Sequence, residues 1–112
     1  MNKARFNIKL LEQARNFLKS LDTERRAIII KDLKYASYDI NATLFKKLVG
    51  TDIWEFRTKA KGLQYRLLAF WDKEQKAMVV ATHGFVKKTQ KTPEKEINKA
   101  IQLKKEYYAG KK

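Results

Sequence analysis

Ala4-Arg5-Phe6-Asn7-Ile8-Lys9 alternates apolar and polar residues, the period of a strand with one face buried. From Leu10 the period lengthens: Leu10, Leu11, Ala14, Phe17, Leu18 and Leu21 recur at three and four, which predicts an amphipathic helix to about Ser20. Asp22-Thr23-Glu24 then offers a capping oxygen and first-turn acids, and Ile29, Ile30, Leu33 and Ala36 keep helical spacing. A second helix therefore completes a helical hairpin. Ile28-Ile29-Ile30 has strand propensity, but Lys31, Asp32 and Lys34 interrupt it without two-residue alternation. Ser37 to Lys47 reads as irregular, with a short turn of helix around Thr43 to Lys46.

The remainder predicts a three-stranded meander and a helix. Ile53 to Lys59 is the first strand, Ala60-Lys61-Gly62 a tight turn, Leu63 to Trp71 the second strand, Asp72 to Lys76 a polar loop and Ala77 to Phe85 the third. Thr92 suits a cap, Pro93 the first helical position, and Glu94 and Glu96 the positive end of a helix running to about Tyr108. The order β-α-α-β-β-β-α describes one α+β domain over residues 1–112, an antiparallel sheet packed against the hairpin, with a short basic tail at 109–112.

Strand alternation divides the meander into two faces. Trp54 and Phe56 oppose Glu55, Arg57 and Lys59; Leu63, Tyr65, Leu67 and Ala69 oppose Gln64, Arg66, Leu68 and Phe70; Met78, Val80 and Thr82 oppose Val79, Ala81, His83 and Phe85. If the helices cover the Trp54, Tyr65 and Val80 face, then Arg57, Lys59, Arg66 and His83 gather on the other, with Lys87 and Lys88 at its rim. Trp54, Phe56, Tyr65 and Trp71 fall among the packing residues. Phe70 and Phe85 fall on the cationic side, where an aromatic ring can stack on an RNA base.

Charge sharpens this picture. The chain carries 26 Lys and Arg against 12 Asp and Glu, a net +14 that suits a polyanionic or acidic partner. With no Cys there is no disulfide, thiolate zinc site or cysteine nucleophile, and one His with scattered acids makes no metal or cofactor site. The absence of a secretory h-region or membrane-length apolar run points to a cytoplasmic protein with no membrane partner.

Three runs carry a family resemblance: Asp52-Ile53-Trp54-Glu55-Phe56-Arg57, Gln64-Tyr65-Arg66-Leu67-Leu68, and the long HGFVKKTQKTP from His83 to Pro93, with Glu96 after it and Leu44-Phe45-Lys46-Lys47-Leu48 ahead. The chain resembles the phage-derived HigB-like toxins of the RelE/ParE superfamily. That resemblance implies the small RNase-like toxin fold and an mRNA endonuclease that cuts ribosome-bound message. It also implies silencing by a cognate antitoxin, a helix-turn-helix protein. In that superfamily the active surface lies on the sheet opposite the hairpin, and Arg57, Lys59, Arg66 and Lys87 match its placement.

Cleaving RNA without a metal requires a base for the 2′-hydroxyl proton, cations for the charge on the in-line phosphorane and an acid for the 5′-oxygen; it leaves 2′,3′-cyclic phosphate and 5′-hydroxyl ends. Arg57 and Arg66 suit charge stabilisation, and Lys59, Lys87 or Lys88, crowded by like charge, suit the base. His83 is the alternative base or acid. Lys88, Thr89, Lys91 and Phe85 are the candidates for holding RNA. No Tyr or acidic residue in the basic loop supplies an obvious acid, which leaves the proton donor unassigned. The rival readings are a ParE-like gyrase inhibitor and a basic RNA- or ribosome-binding domain without catalysis.

Overall fold

The computed structural model describes residues 4–39 and 43–110. Along them run β1 (Asn7–Leu10), α1 (Glu12–Lys19), α2 (Thr23–Tyr38), β2 (Phe45–Lys47), β3 (Trp54–Ala60), β4 (Leu63–Trp71), β5 (Met78–Lys87) and α3 (Glu94–Ala109). Asp22 caps α2 as its sequence suggests, its carboxylate accepting from the Arg25 amide at 2.7 Å. Lys61 and Gly62 both take positive φ, the backbone that a two-residue hairpin turn between right-twisted strands requires. The helical turn expected near Thr43 is instead strand from Phe45, because Phe45 pairs with Phe56 and buries its ring beneath the hairpin. Part of that irregular stretch, 40–42, lies outside the described residues, as do 111–112 of the basic tail.

The sheet has strand order β1-β5-β4-β3-β2. The meander β3-β4-β5 is antiparallel as expected, and β2 extends it antiparallel. β1 joins the far edge parallel to β5, which makes the sheet mixed. α1 packs on β5 and α2 on β3, burying Phe6, Leu18, Ile29, Phe45, Phe56, Tyr65, Leu67, Val79 and Ala81 between hairpin and sheet. α3 covers part of the opposite face, where Ile53, Leu68, Phe70, Val80 and Ala100 form a second core.

Two expectations change here. The alternation along β5 reverses at Thr82, because a bulge sets Leu68 opposite His83 but Ala69 opposite Ala81. Val79 and Ala81 therefore face the hairpin and Val80 faces α3, whereas His83 and Phe85 lie on the predicted side. Phe70, expected on the open cationic side, is fully buried under α3 against Tyr107 and Tyr108. The non-hairpin face is thus open only toward one end.

Candidate nucleic-acid interface

Strand register builds the open end row by row. Arg57 on β3 stands directly opposite Arg66 on β4, and Arg66 opposite Phe85 on β5. In the next row Lys59 faces Gln64 and Gln64 faces Lys87, while on the other side Lys46 of β2 faces Glu55. Cations from four adjacent strands thus share one surface. Two clefts flank its centre: one of about 580 Å³ beside Lys87, Lys88, Thr89 and Gln90, the other of about 490 Å³ beside Arg57, Lys59 and Thr43. Gln64 and Arg66 line both and form the ridge between them.

Glu55 lies beneath this surface with no exposure. Its Oε1 accepts from Arg57 Nε at 3.1 Å and stands 3.4 Å from Arg66 Nε, while its Oε2 accepts from the Thr92 hydroxyl. The Arg66 side chain is only 8% exposed; Nη1 donates to the Tyr65 carbonyl at 3.0 Å and Nη2 to Gln64 Oε1 at 3.2 Å. Burial lowers the Arg66 pKa, with Glu55 opposing and Arg57 reinforcing the shift, yet a guanidinium stays charged near neutrality. Burial also lowers the Lys87 ammonium, Arg66, Arg57 and Lys46 push the same way, and Glu55 opposes them. Burial thus favours the neutral amine of Lys87.

Of the sequence candidates, Arg57, Lys59, Arg66 and Lys87 share the open surface, half-buried Phe85 borders Arg66, and exposed Lys88, Thr89 and Lys91 follow in the loop toward α3. The Thr89 hydroxyl donates to the Lys91 carbonyl at 2.6 Å, so it shapes that loop. His83 does not reach the surface. It is 2% exposed beneath α3, with Nδ1 3.0 Å from the Thr82 hydroxyl and Nε2 3.0 Å from Glu96 Oε1. Burial lowers its pKa; the Glu96 hydrogen bond raises it and Lys99 lowers it further. Thr92, expected to cap α3, gives its hydroxyl to Glu55 instead, and no side chain caps that helix. Sequence reasoning missed the part played by Glu55, Gln64 and Lys46. A single acid amid the basic residues of the β3 face was the available signal for Glu55. Among the described residues no three His, Asp or Glu side chains gather where a metal ion could be held, and no helix is long and apolar enough to cross a membrane.

No curated protein matches the chain. Solved structures do. A double mutant of the E. coli toxin RelE in the free state superposes with a TM-score of 0.62 at 20% identity, covering 89% of this chain and 97% of that one. RelE in a RelBE toxin-antitoxin complex of Mycobacterium tuberculosis gives 0.59 at 20% identity over 74% of this chain and 99% of the other. An archaeal RelE-RelB complex from Pyrococcus horikoshii gives 0.53 at 16% over 79% and 99%. At these identities the likeness is one of fold. Residues 16–105 match the family described as Phage derived protein Gp49-like (DUF891), most of the chain and all of the cationic surface. The chain therefore belongs to the phage-derived Gp49-like family, built on the RelE toxin fold.

Proposed function

We propose that this protein is the toxin of a toxin-antitoxin pair, acting in the cytoplasm as a single-domain, metal-independent endoribonuclease on ribosome-bound mRNA. The observation that carries this reading is the register pairing of Arg57 with Arg66, flanked by Lys87, on the sheet end that no helix covers. Two guanidinium groups on neighbouring strands suit one phosphate, stabilising charge as it develops on the phosphorane. Lys87, its ammonium destabilised by burial, removes the 2′-hydroxyl proton; the 2′-oxygen bonds to phosphorus as the bond to the 5′-oxygen breaks. The departing oxygen takes its proton from solvent water, giving a 5′-hydroxyl and a 2′,3′-cyclic phosphate, and the Lys87 ammonium returns its proton to solvent. Lys59, Lys88 and Lys91 hold flanking phosphates, and Phe85 offers a stacking edge.

Fold likeness to toxins crystallised with antitoxins supports an antitoxin partner, and a helix-turn-helix protein with an acidic segment fits the net +14. His83 is not among the proposed reacting groups, because α3 separates it from any substrate. The test is to map transcript 5′ ends after inducing the wild type, Arg57→Ala and Lys87→Met. New 5′-hydroxyl ends and growth arrest are expected with the wild type only, both variants remaining folded. Arrest with intact transcripts overturns the reading; accompanying DNA damage would direct attention to gyrase, and ribosome binding without cleavage to a non-catalytic domain.

A further inference from the structure

Arg57 and Arg66 stand directly opposite each other, an arrangement in which like charges repel across an antiparallel pair. The group that reconciles them is the buried acid beneath the surface, Glu55. We propose that Glu55 is a positioning residue: its carboxylate aims the Arg57 guanidinium, offsets the charge it shares with Arg66 and, through Thr92, fastens the basic loop between β5 and α3 to the same point. This inference rests on the RNA-cleaving reading for its kinetic consequence, but not for its geometry.

The two carboxylate oxygens have separate tasks. Oε1 accepts from Arg57 Nε at 3.1 Å and lies 3.4 Å from Arg66 Nε, an ion pair without a hydrogen bond, while Oε2 takes the Thr92 hydroxyl. Holding Arg57 through Nε leaves its Nη edge for a phosphate, and each Arg66 Nη keeps one N–H beyond those given to Tyr65 and Gln64. Glu55 has no exposed surface, so it touches neither the 2′-hydroxyl nor the phosphate and is not itself the base. Thr92 stands 37 residues away in sequence, at the end of the loop holding Lys88 and Lys91. One buried carboxylate therefore sets the separation between the arginine pair and the loop lysines.

The test uses the purified full chain with Glu55→Gln, Thr92→Val and Thr92→Ser. Three readouts apply: ribosome-dependent cleavage, affinity for a non-cleavable 2′-deoxy oligonucleotide, and the ¹⁵N Nε–H signals of Arg57 and Arg66. Glu55→Gln should lower the cleavage rate about tenfold or more through misaligned cations. Affinity for the oligonucleotide should hold or tighten, since a negative charge is removed, and the Arg57 Nε–H proton should exchange faster while that of Arg66 changes little. Thr92→Val should lose part of the rate and Thr92→Ser should restore it. Wild-type cleavage by folded Glu55→Gln, or an equal fall in binding and cleavage with a lowered melting temperature, overturns the proposal. If the wild type cuts no RNA, the nuclease reading falls, and the Nε–H signals still decide whether Glu55 orders Arg57.

Discussion

The two arginines of the surface differ in what surrounds them. Arg57 keeps 29% of its side chain exposed, whereas Arg66 is nearly sealed, and removing it leaves the buried Glu55 carboxylate with one less cation. Arg66→Ala should therefore cost about 3 kcal/mol of stability in urea titration, since it also empties the space of a buried side chain and its bonds to Tyr65 and Gln64, and Arg57→Ala about 1–2 kcal/mol, since it removes a hydrogen bond to the buried Glu55 carboxylate from a side chain that is itself partly solvated. Loss of function in Arg66→Ala thus has to be read beside its stability. Lys87 makes a pH prediction. As the base it works as the neutral amine, so the cleavage rate should rise with pH at a slope of about one in logarithmic units and level off at a pH below the ordinary 10.5. Lys87→Arg should abolish that rise. His83 belongs to stability instead. Its pKa is lowered below 6.5 in the fold, so the folded state binds fewer protons than the unfolded one and stability should fall as pH drops below about 6.5. Comparing urea midpoints at two pH values on either side of that point, wild type against His83→Gln, should show the slope flatten in the variant. The faces of Arg57 and Arg66 were legible from two-residue alternation, and a lone histidine in an apolar strand already suggested a core or rim place for His83; that α3 is what covers it was not legible, because that helix follows in sequence and packs on the sheet from outside it.

The elements followed their periodicity wherever one face alone met a core. The hairpin helices, the tight turn at Lys61-Gly62 and the meander all lie close to where the pattern sets them. β2 was illegible because three residues are too few to show a period, and its strand state comes from pairing with β3. The role of α3 was missed for another reason. Leu68, Phe70 and Val80 are apolar on the face that also holds the arginines, a mixture that signals a sheet face covered only in part. Gly84 records how closely hairpin and sheet approach: a Cβ there would come within 2.3 Å of the Phe17 ring. Gly84→Ala should destabilise by about 1–3 kcal/mol through overpacking, and Phe17→Leu should recover part of that loss in a double-mutant cycle.

At the scale of the whole molecule, charge is segregated by depth. Arg57, Lys59 and Lys87 of the open end reach solvent, Arg66 is nearly sealed between them, and the Glu55 carboxylate is wholly buried below. If three to five phosphates are engaged, log affinity for single-stranded RNA should fall against log salt with a slope of about −2 to −3.5, measurable by fluorescence titration. Removing Lys88 and Lys91 together should make that slope shallower by about 1.4. The mixed sheet was only partly legible, since the parallel return of β1 beside β5 depends on a long-range partner that local pattern does not specify. The extra residue at Thr82 has a consequence for how this chain tolerates change in length. Upstream of it the odd-numbered side chains of β5 belong to the hairpin, downstream the even-numbered ones do, so excising that single threonine would join Ala81 to His83 in an unbroken alternation, whereas excising a paired residue elsewhere in β5 would turn part of the ribbon inside out. Deletion scanning should find the connections at 73–76 and 88–90 forgiving, the paired positions of β5 between them intolerant, and a gap one codon wide in that barrier at 82.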